Sequence, residues 1–527
     1  MIRWSAKLAA LLLLAFARPV LAQDLASFEK NVTVKILPNG LTVVLYRRPE
    51  APVFSFFTLV DAGSAQDPLH QTGLAHMMEH MAFKGTPDIG TTDYAKEKVA
   101  LENVEQAYQA YETERVKRVG QDPQKLKQLQ DAWQAAIKEA DQYVIKNQFG
   151  EIVESHGGVE MNAFTSYDET GYMYSMPSNQ IELWAALESD RLSDPVMREF
   201  YKERNVVMEE RRMRTDSRPT GRLLEQFLGT AFMANPYHRP TVGYASDLQS
   251  FSATDALNFF HKNYVPSNMV IGLVGDLDPA MVMPIIEQYF GRIPSAPRPL
   301  ELTTTEPPQN SSREVTLRDP SQPFFLEGYH RPSYLDKDDA VYDAITDLMS
   351  NGRVSRLYRA LVRDQKIAAF AAGFSGLPGT KYAHLFAFYG VPIPGHTNDQ
   401  LRKAIDEQID RLKTTDITDE ELAMFKTRSK ADLIRSLSSN EGLAQALATY
   451  QTRYGDWREL FRYLDRVDKV TKADVRRIAN QVFTDSNRTT GEIITAQQPR
   501  APEAAPPETA PPPPPHQPGD GSPKGAE

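Results

Sequence analysis

The order of predicted helices and strands repeats once along this chain, and this repeat constrains the fold more than any other feature of the sequence. A polar, proline-rich stretch, Pro294–Asn310, divides the chain into two parts. On each side of it, strands of alternating hydrophobicity precede a helix, further strands and several amphipathic helices. Two parts with one plan indicate an internal duplication, and hence two halves of similar structure.

The repeat and the local composition divide the chain into five predicted segments. These are a signal peptide at 1–22, a first half at 23–295, a linker at 296–312, a second half at 313–490 and a disordered, proline-rich tail at 491–527. The tail is expected to be a solubilising segment, with a docking ligand as the alternative.

The first residues have the pattern of a secretory signal peptide. Arg3 and Lys7 precede an apolar run that ends at Ala17, and Ala22 is a small residue at the expected cleavage point. The apolar run is too short to span a bilayer. We therefore expect export, cleavage after Ala22 and a periplasmic chain with no stable membrane span. An uncleaved membrane anchor is the alternative.

Composition excludes several classes of function. The chain has 527 residues and no cysteine, so thiol catalysis, cysteine-based zinc sites and a lipid anchor at the cleavage point are excluded. A chain of this length can bury its cores without disulfides. Its formal net charge is −10 and it has no basic stripe, so nucleic acid is not an expected partner.

His76, Glu79 and His80 lie close together in an otherwise apolar segment that predicts a buried helix. Positions i and i+4 of a helix share a face, so both imidazoles can reach one ion, and Glu79 points into the same space. Zinc accepts imidazole and carboxylate ligands, and a nearby carboxylate can take a proton from water at such a site. A hydrogen-bonded core histidine is the alternative, but three polar groups buried without a metal would be costly.

The predicted helix Arg198–Arg214 is the expected source of a further ligand. Glu203 and Glu210 are two helical turns apart and therefore share a face, whereas Glu209 points elsewhere and is expected to be solvated. The spacing leaves Glu203 and Glu210 both open as the third zinc ligand.

The segment from Gly157 to Tyr174 predicts a strand at the edge of a sheet, with Asn162, Ala163, Phe164 and Thr165 at its centre. The unpaired backbone groups of an edge strand can bind an extended peptide by strand addition. We expect these four residues to bind substrate. Ordinary pairing within the sheet is the alternative.

Residues 94–148 predict an inserted hairpin of two amphipathic helices, interrupted near Gly120. Solvated packing against the first half, or a role as a lid or docking element, would each explain it. In the second half, one long helix is predicted from Asp338 to Val362. Its part Tyr342–Met349 corresponds to the helix of His76 but has no metal-binding triad, so only the first half is expected to carry the chemistry.

Several stretches of the sequence resemble the pitrilysin/insulinase family of inverted-motif zinc metallopeptidases, especially its bacterial branch related to the mitochondrial processing peptidase. The matching stretches are GLAHMMEHMAFKGT, NAFTSYDET, ERNVVMEE, NPYHRPTVG, NYVPSNMVIGLVGDLD and YFGRIP. The resemblance implies one zinc ion per chain, with His76, His80 and Glu210 as its ligands, Glu79 as the general base and Glu203 as a supporting carboxylate.

With this resemblance we expect an α+β protein of two homologous halves. Each half should be a mixed sheet backed by helices, and the two should form a clamshell-like chamber. The expected activity is that of a zinc-dependent endopeptidase acting on peptides or unfolded polypeptides in the periplasm. The alternative from another class is a non-catalytic or partner-dependent scaffold or peptide-binding subunit of a peptidase complex.

The chain departs from the family pattern in two places. The interval between His80 and Glu210 is longer than usual, and the predicted insertion accounts for the excess. In the second half, Ile367–Phe370 stands where relatives often have a Leu-Ala-Tyr segment. The Arg and Tyr that contact the substrate carbonyl in relatives are therefore not assigned. A homodimer, or a heterodimer with a related subunit that lacks the metal residues, would supply them from the partner.

Overall fold

The computed structural model describes residues 25–496. The predicted signal peptide and residues 497–527 of the predicted tail lie outside the described residues. No helix between Leu25 and Ala496 is both long enough and apolar enough to cross a membrane.

The first half contains six strands. They are β1 (Val32–Ile36), β2 (Thr42–Arg47), β3 (Val53–Val60), β4 (Val159–Thr165), β5 (Thr170–Pro177) and β6 (Met269–Gly275). Its α-helices are α1 (Leu25–Glu29), α2 (Leu74–Met81), α3 (Tyr94–Arg115), α4 (Pro123–Ala140), α5 (Gln148–Ser155), α6 (Ile181–Arg191), α7 (Phe200–Arg211), α8 (Pro219–Ala231), α9 (Ala245–Ser250), α10 (Ala253–Asn263) and α11 (Pro279–Phe290). A π-helical segment, Arg212–Asp216, continues α7.

The second half begins after an irregular stretch at residues 291–312. Its strands are β7 (Arg313–Asp319), β8 (Phe324–Arg331), β9 (Ala368–Leu377), β10 (His384–Pro392) and β11 (Arg488–Thr495). Its α-helices are α12 (Asp339–Ser350), α13 (Asn398–Thr414), α14 (Asp419–Ser436), α15 (Asn440–Tyr454), α16 (Glu459–Lys469) and α17 (Lys472–Val482).

The strand order confirms the predicted duplication. The first sheet has the order β1-β2-β6-β3-β5-β4 and the second β7-β11-β8-β10-β9, which is the same order without β1. Each sheet holds one parallel pair, β2 with β6 and β7 with β11, among antiparallel pairs. The fold is therefore the expected α+β arrangement, with two mixed sheets backed by helices. β4 and β9 are the corresponding edge strands.

Each half contributes a helix that covers the sheet of the other half. In the first sheet, Phe57 and Leu59 of β3 share one apolar cluster with Leu443 and Leu447 of α15. In the second sheet, Leu326 and Leu385 share a cluster with Phe227 and Leu228 of α8. Since burial of apolar surface is the main favourable term in folding, the two halves stabilise each other directly.

Two predictions about the second half are wrong. The long helix predicted from Asp338 to Val362 ends as α12 at Ser350, because Asn351 is extended, with a φ of −79° and a ψ of 99°, and Gly352 has a φ of 72°. A π-helical segment, Tyr358–Asp364, follows. The half also continues past its predicted end at residue 490, since β11 runs to Thr495 and pairs with β7 and β8. These pairings join residues far apart in sequence.

Candidate metal centre and cleft

Helix α2, which carries the motif, is held at its N-terminus by a distant carboxylate. Asp67 accepts hydrogen bonds from the backbone N–H groups of Gly73, at 2.7 Å, and Ala75, at 2.9 Å. These are N–H groups that a helix leaves without internal partners. Gly73 has a φ of 97°, and a Cβ there would lie 2.8 Å from the Val242 carbonyl oxygen. The methionines of α2 are buried in the core of the first half.

The side chains of His76, His80 and Glu210 converge on one point. The Nε2 atoms of His76 and His80 lie 3.5 and 3.3 Å from the same oxygen of Glu210, Oε2. One potential ligand atom from each residue lies within 4.8 Å of the other two. A tetrahedral zinc ion with bonds of about 2.1 Å holds its ligand atoms about 3.4 Å apart. The two imidazole nitrogens and the carboxylate oxygen therefore fit the separations and the donor types that zinc requires.

Glu203 lies outside this group and contacts the far side of one imidazole. Its Oε1 is 2.9 Å from His80 Nδ1, and its Oε2 is 2.7 Å from Lys84 Nζ. Burial opposes ionisation of Glu203, but the hydrogen bonds from His80 and Lys84 outweigh it and hold its pKa at about 2. A charged Glu203 leaves His80 Nε2 free for a metal, which is the usual arrangement around metal-binding histidines. Of the two carboxylates that the spacing left open, Glu210 is the one in the donor group.

Glu210 divides its two oxygens between the histidines and a cation. Its Oε1 forms an ion pair with Arg214 Nη1 at 2.7 Å, while Oε2 faces the two imidazoles. Arg214 is four residues after Glu210 and lies on the π-helical segment. Such segments are frequent at functional sites. Because Oε1 is held by Arg214, only Oε2 of Glu210 faces His76 and His80.

Glu79 lies beside the donor group without belonging to it. Burial raises the pKa of its carboxyl above the ordinary value, and the side chain of Thr165 acts in the opposite direction. Glu79 and Thr165 both line the same cleft as the two histidines. A carboxyl in this position can exchange a proton with a water molecule in the cleft.

The cleft has a volume of about 1020 Å³ and is formed by α2, β4, α7 and the segment that follows α7. All four predicted substrate-binding residues line it: Asn162, Ala163, Phe164 and Thr165. They lie on β4, which is the edge strand of the first sheet. Glu160 has a φ of 59° where the pairing of β4 with β5 changes register. Bulges of this kind are common next to active sites. Among the residues that the structure describes, all those that line the cleft belong to the first half.

Several residues around the cleft were not found from the sequence. They are Lys84, Val206, Met213, Arg214 and Arg218. Arg214 had a local signal, because it follows Glu210 by four residues and so lies on the same helical face. Lys84 and Arg218 had none, since each lies beyond the end of an α-helix and is placed by the tertiary structure.

Comparisons with known proteins identify the family. The family model for insulinase (peptidase family M16) matches residues 42–116 and 134–244, and that for the peptidase M16 inactive domain matches 250–429. The chain belongs to the insulinase family of peptidases. The gap in the first match falls within the predicted insertion, between the end of α3 and the middle of α4. The inactive-domain model covers α12, whose segment Tyr342–Met349 has no histidine.

Similar proteins span nearly the full length of the chain. Zinc protease PqqE of Helicobacter pylori is 27% identical over 492 residues, which cover 92% of this chain and 96% of that protein. The crystal structure of a protease from Helicobacter pylori has a TM-score of 0.72 and 26% identity, and the match covers 88% of this chain and 99% of that one. The beta subunit of the mitochondrial-processing peptidase of Saccharomyces cerevisiae is 23% identical, covering 84% and 87% of the two chains.

Proposed function

We propose that this protein is a zinc-dependent endopeptidase that hydrolyses peptides or unfolded polypeptides. The observation that carries the proposal is the convergence of His76 Nε2 and His80 Nε2 on Glu210 Oε2, at 3.5 and 3.3 Å. These separations match those of ligand atoms around one tetrahedral zinc ion. The membership of the insulinase family and the name of the Helicobacter pylori relative, a zinc protease, support the same conclusion.

The residues of the cleft have separate roles in this reaction. The edge strand β4 binds the substrate backbone by strand addition through Asn162–Thr165. Zinc bound by His76, His80 and Glu210 would supply a Lewis acid for the substrate carbonyl and for a water molecule. Glu79 takes the proton from the attacking water and later donates it to the departing amine. Glu203 and Arg214 hold His80 and Glu210 in their ligand orientations.

The test is to measure zinc content and peptide cleavage by the purified chain, residues 23–527, beside its Glu79→Gln variant. We expect about one zinc ion per chain in both proteins and a loss of turnover of at least about 100-fold in the variant. His76→Ala and Glu210→Gln should bind zinc more weakly. Normal turnover by Glu79→Gln would remove Glu79 as the general base, and wild-type protein without zinc would refute the proposal.

A second candidate is a peptidase subunit that needs a partner for activity. It is favoured by the lining of the cleft, because no described residue of the second half, residues 313–496, lines it. Phe370, at the position where relatives often have tyrosine, is 46% exposed on the edge strand β9 and has no hydroxyl group. Zinc-loaded protein that cleaves no unstructured peptide alone, but does so with a homologous subunit added, would favour this candidate. A monomer with full activity would refute it.

We further propose that the protein acts in the periplasm. The basic residues, apolar run and small residue of the first 22 positions support export. Cell fractionation should find the chain in the periplasmic fraction, with an N-terminus that begins at Gln23. Uncleaved protein in the membrane fraction would establish the anchor instead.

A further inference from the structure

Outside the predicted site, the charged side chains that line the cleft are those of Glu209, Arg214 and Arg218, and of these only Arg218 has no partner among the described residues. Glu209 accepts hydrogen bonds from Arg212, at 2.8 Å to Nε, and Arg214 pairs with Glu210 at 2.7 Å. Arg218 lines the same cleft, and its guanidinium has no hydrogen-bond or ion-pair partner among residues 25–496. The cleft therefore contains a cation that is free to bind a ligand.

The backbone holds Arg218 in place although its side chain is free. Its N–H donates to the Thr215 carbonyl at 3.2 Å, and its carbonyl accepts from Arg222 N–H at 3.0 Å. Its φ and ψ are −106° and 119°, the extended conformation that a following proline, here Pro219, imposes. The fixed backbone thus places the side chain of Arg218 at the cleft, which it lines.

The acidic residue next to this segment is already engaged. Asp216 Oδ1 lies 3.3 Å from Arg211 Nη2, and Arg211 is also paired with Glu225 at 2.9 Å. A ligand carboxylate would therefore not compete with Asp216 for Arg218. Guanidinium binds carboxylates through two parallel hydrogen bonds, a geometry that lysine does not reproduce.

We propose that Arg218 is a specificity residue that binds a carboxylate of the substrate polypeptide, from an aspartate or glutamate side chain or from a free C-terminus. This inference rests on the proposed peptidase function, because it assigns a substrate class to the same cleft. The apolar neighbours Val206 and Met213 are 51% and 52% exposed in that cleft. Substrates with an acidic group near apolar residues fit this lining.

The test measures binding and turnover separately. Labelled peptides with a single glutamate, with glutamine in its place, or with a free or amidated C-terminus are titrated into the Glu79→Gln protein and followed by fluorescence anisotropy. The same peptides are given to the wild-type enzyme. An exposed ion pair is worth up to about 1 kcal/mol, so we expect about fivefold tighter binding and about fivefold higher kcat/KM for the carboxylate peptide. High salt should remove the difference.

Variants assign the effect to Arg218. Arg218→Glu should reverse the preference toward a lysine peptide, and Arg218→Lys should retain only part of it. Arg118→Glu is the matched control, since it changes the net charge equally at an exposed position that does not line the cleft. Its peptide preference should equal that of the wild type.

The outcomes separate this inference from the proposed function. Equal binding of glutamate and glutamine peptides, whether their C-termini are free or amidated, overturns the role of Arg218 and leaves the peptidase intact. A preference that persists in Arg218→Glu overturns it as well. Carboxylate-dependent binding without cleavage by the zinc-loaded wild type supports Arg218 and refutes a self-sufficient peptidase. The glutamate and C-terminal arms identify which carboxylate is bound.

Discussion

At the scale of single residues, burial changes the protonation state of one carboxyl group of the second half, that of Glu327. Glu327, on strand β8, is fully buried, and the Tyr329 hydroxyl donates to its Oε2 at 3.3 Å. Its Oε1 has no hydrogen-bond partner in the described part of the chain. Burial raises the pKa of Glu327 to about 8, with the charge of Asp406 acting in the same direction and Arg488 opposing it. The group is therefore neutral in the folded protein at pH 7.

Glu327→Gln should make the protein less sensitive to rising pH. The unfolded carboxyl ionises near pH 4.5 and the folded one only near pH 8, so the contribution of wild-type Glu327 to stability falls across that interval. Relative to the variant, the wild type should lose about 2–4 kcal/mol of unfolding free energy between pH 5 and pH 8. Urea unfolding across this range measures the difference.

The control for this prediction is Glu314→Gln, a change of the same chemistry at an exposed position of β7. It should follow the wild type at every pH. Parallel pH profiles of Glu327→Gln and the wild type would contradict the assignment of a neutral buried carboxyl.

Among the elements, the hairpin of α3 and α4 supports the helix that carries Glu210. Tyr201 of α7 donates a hydrogen bond to Glu105 of α3 at 2.7 Å, and Arg204 donates to the Tyr108 hydroxyl at 2.9 Å. Arg198, just before α7, pairs with Glu97 of α3. None of these contacts involves His76, His80 or Glu210. In α4, by contrast, only Trp133 and Ala140 are buried, and they are 8% and 6% exposed.

Glu97→Ala should therefore destabilise the first half. Arg198 is 1% exposed and also donates to the carbonyls of Lys84 and Ile89, so removal of Glu97 leaves a buried charge without its counter-ion. We expect a loss of about 3–5 kcal/mol in unfolding free energy. Asp131→Ala removes the partner of Lys127 on the exposed face of α4 and should cost less than about 1 kcal/mol. Equal effects of the two changes would show that the hairpin has no supporting role.

At the scale of the molecule, the two halves share one strand order, and each contributes a helix that covers the sheet of the other. α15 covers the first sheet, and α8 covers the second. Each sheet separated from its partner would expose a large apolar face to water. The linker around residue 300 therefore connects two parts whose stability is shared.

Expressed separately, residues 23–295 and 313–527 should each fail to fold cooperatively. We expect aggregation or strong binding of a hydrophobic dye by either part alone, because one face of each sheet lacks its covering helix. Co-expression should restore a soluble complex, detected by size-exclusion chromatography, with the zinc content of the whole chain. A first half that unfolds cooperatively as a monomer would contradict this prediction.

The sequence was most informative where an element depends on its neighbours in the chain. The two amphipathic helices predicted within residues 94–148 are α3 and α4, and the helix predicted from Arg198 to Arg214 is α7 with its π-helical continuation, because hydrophobic periodicity reports local structure. The extent of β11 and the end of α12 were not predicted. They depend on strand partners far away in the sequence and on the backbone conformations of Asn351 and Gly352.

What the sequence determined by itself is the local part of the site, because His76, Glu79 and His80 share a helical face wherever that helix lies. Glu203 and Glu210 also share a face, so spacing could not distinguish them. The packing of α7 against α2 turned Glu210 Oε2 toward the imidazoles and Glu203 toward His80 Nδ1 and Lys84. Tertiary structure likewise decided that α8 covers the second sheet, that α15 covers the first and that the side chain of Arg218 has no partner in the described chain. Each of these depends on which distant groups come into contact.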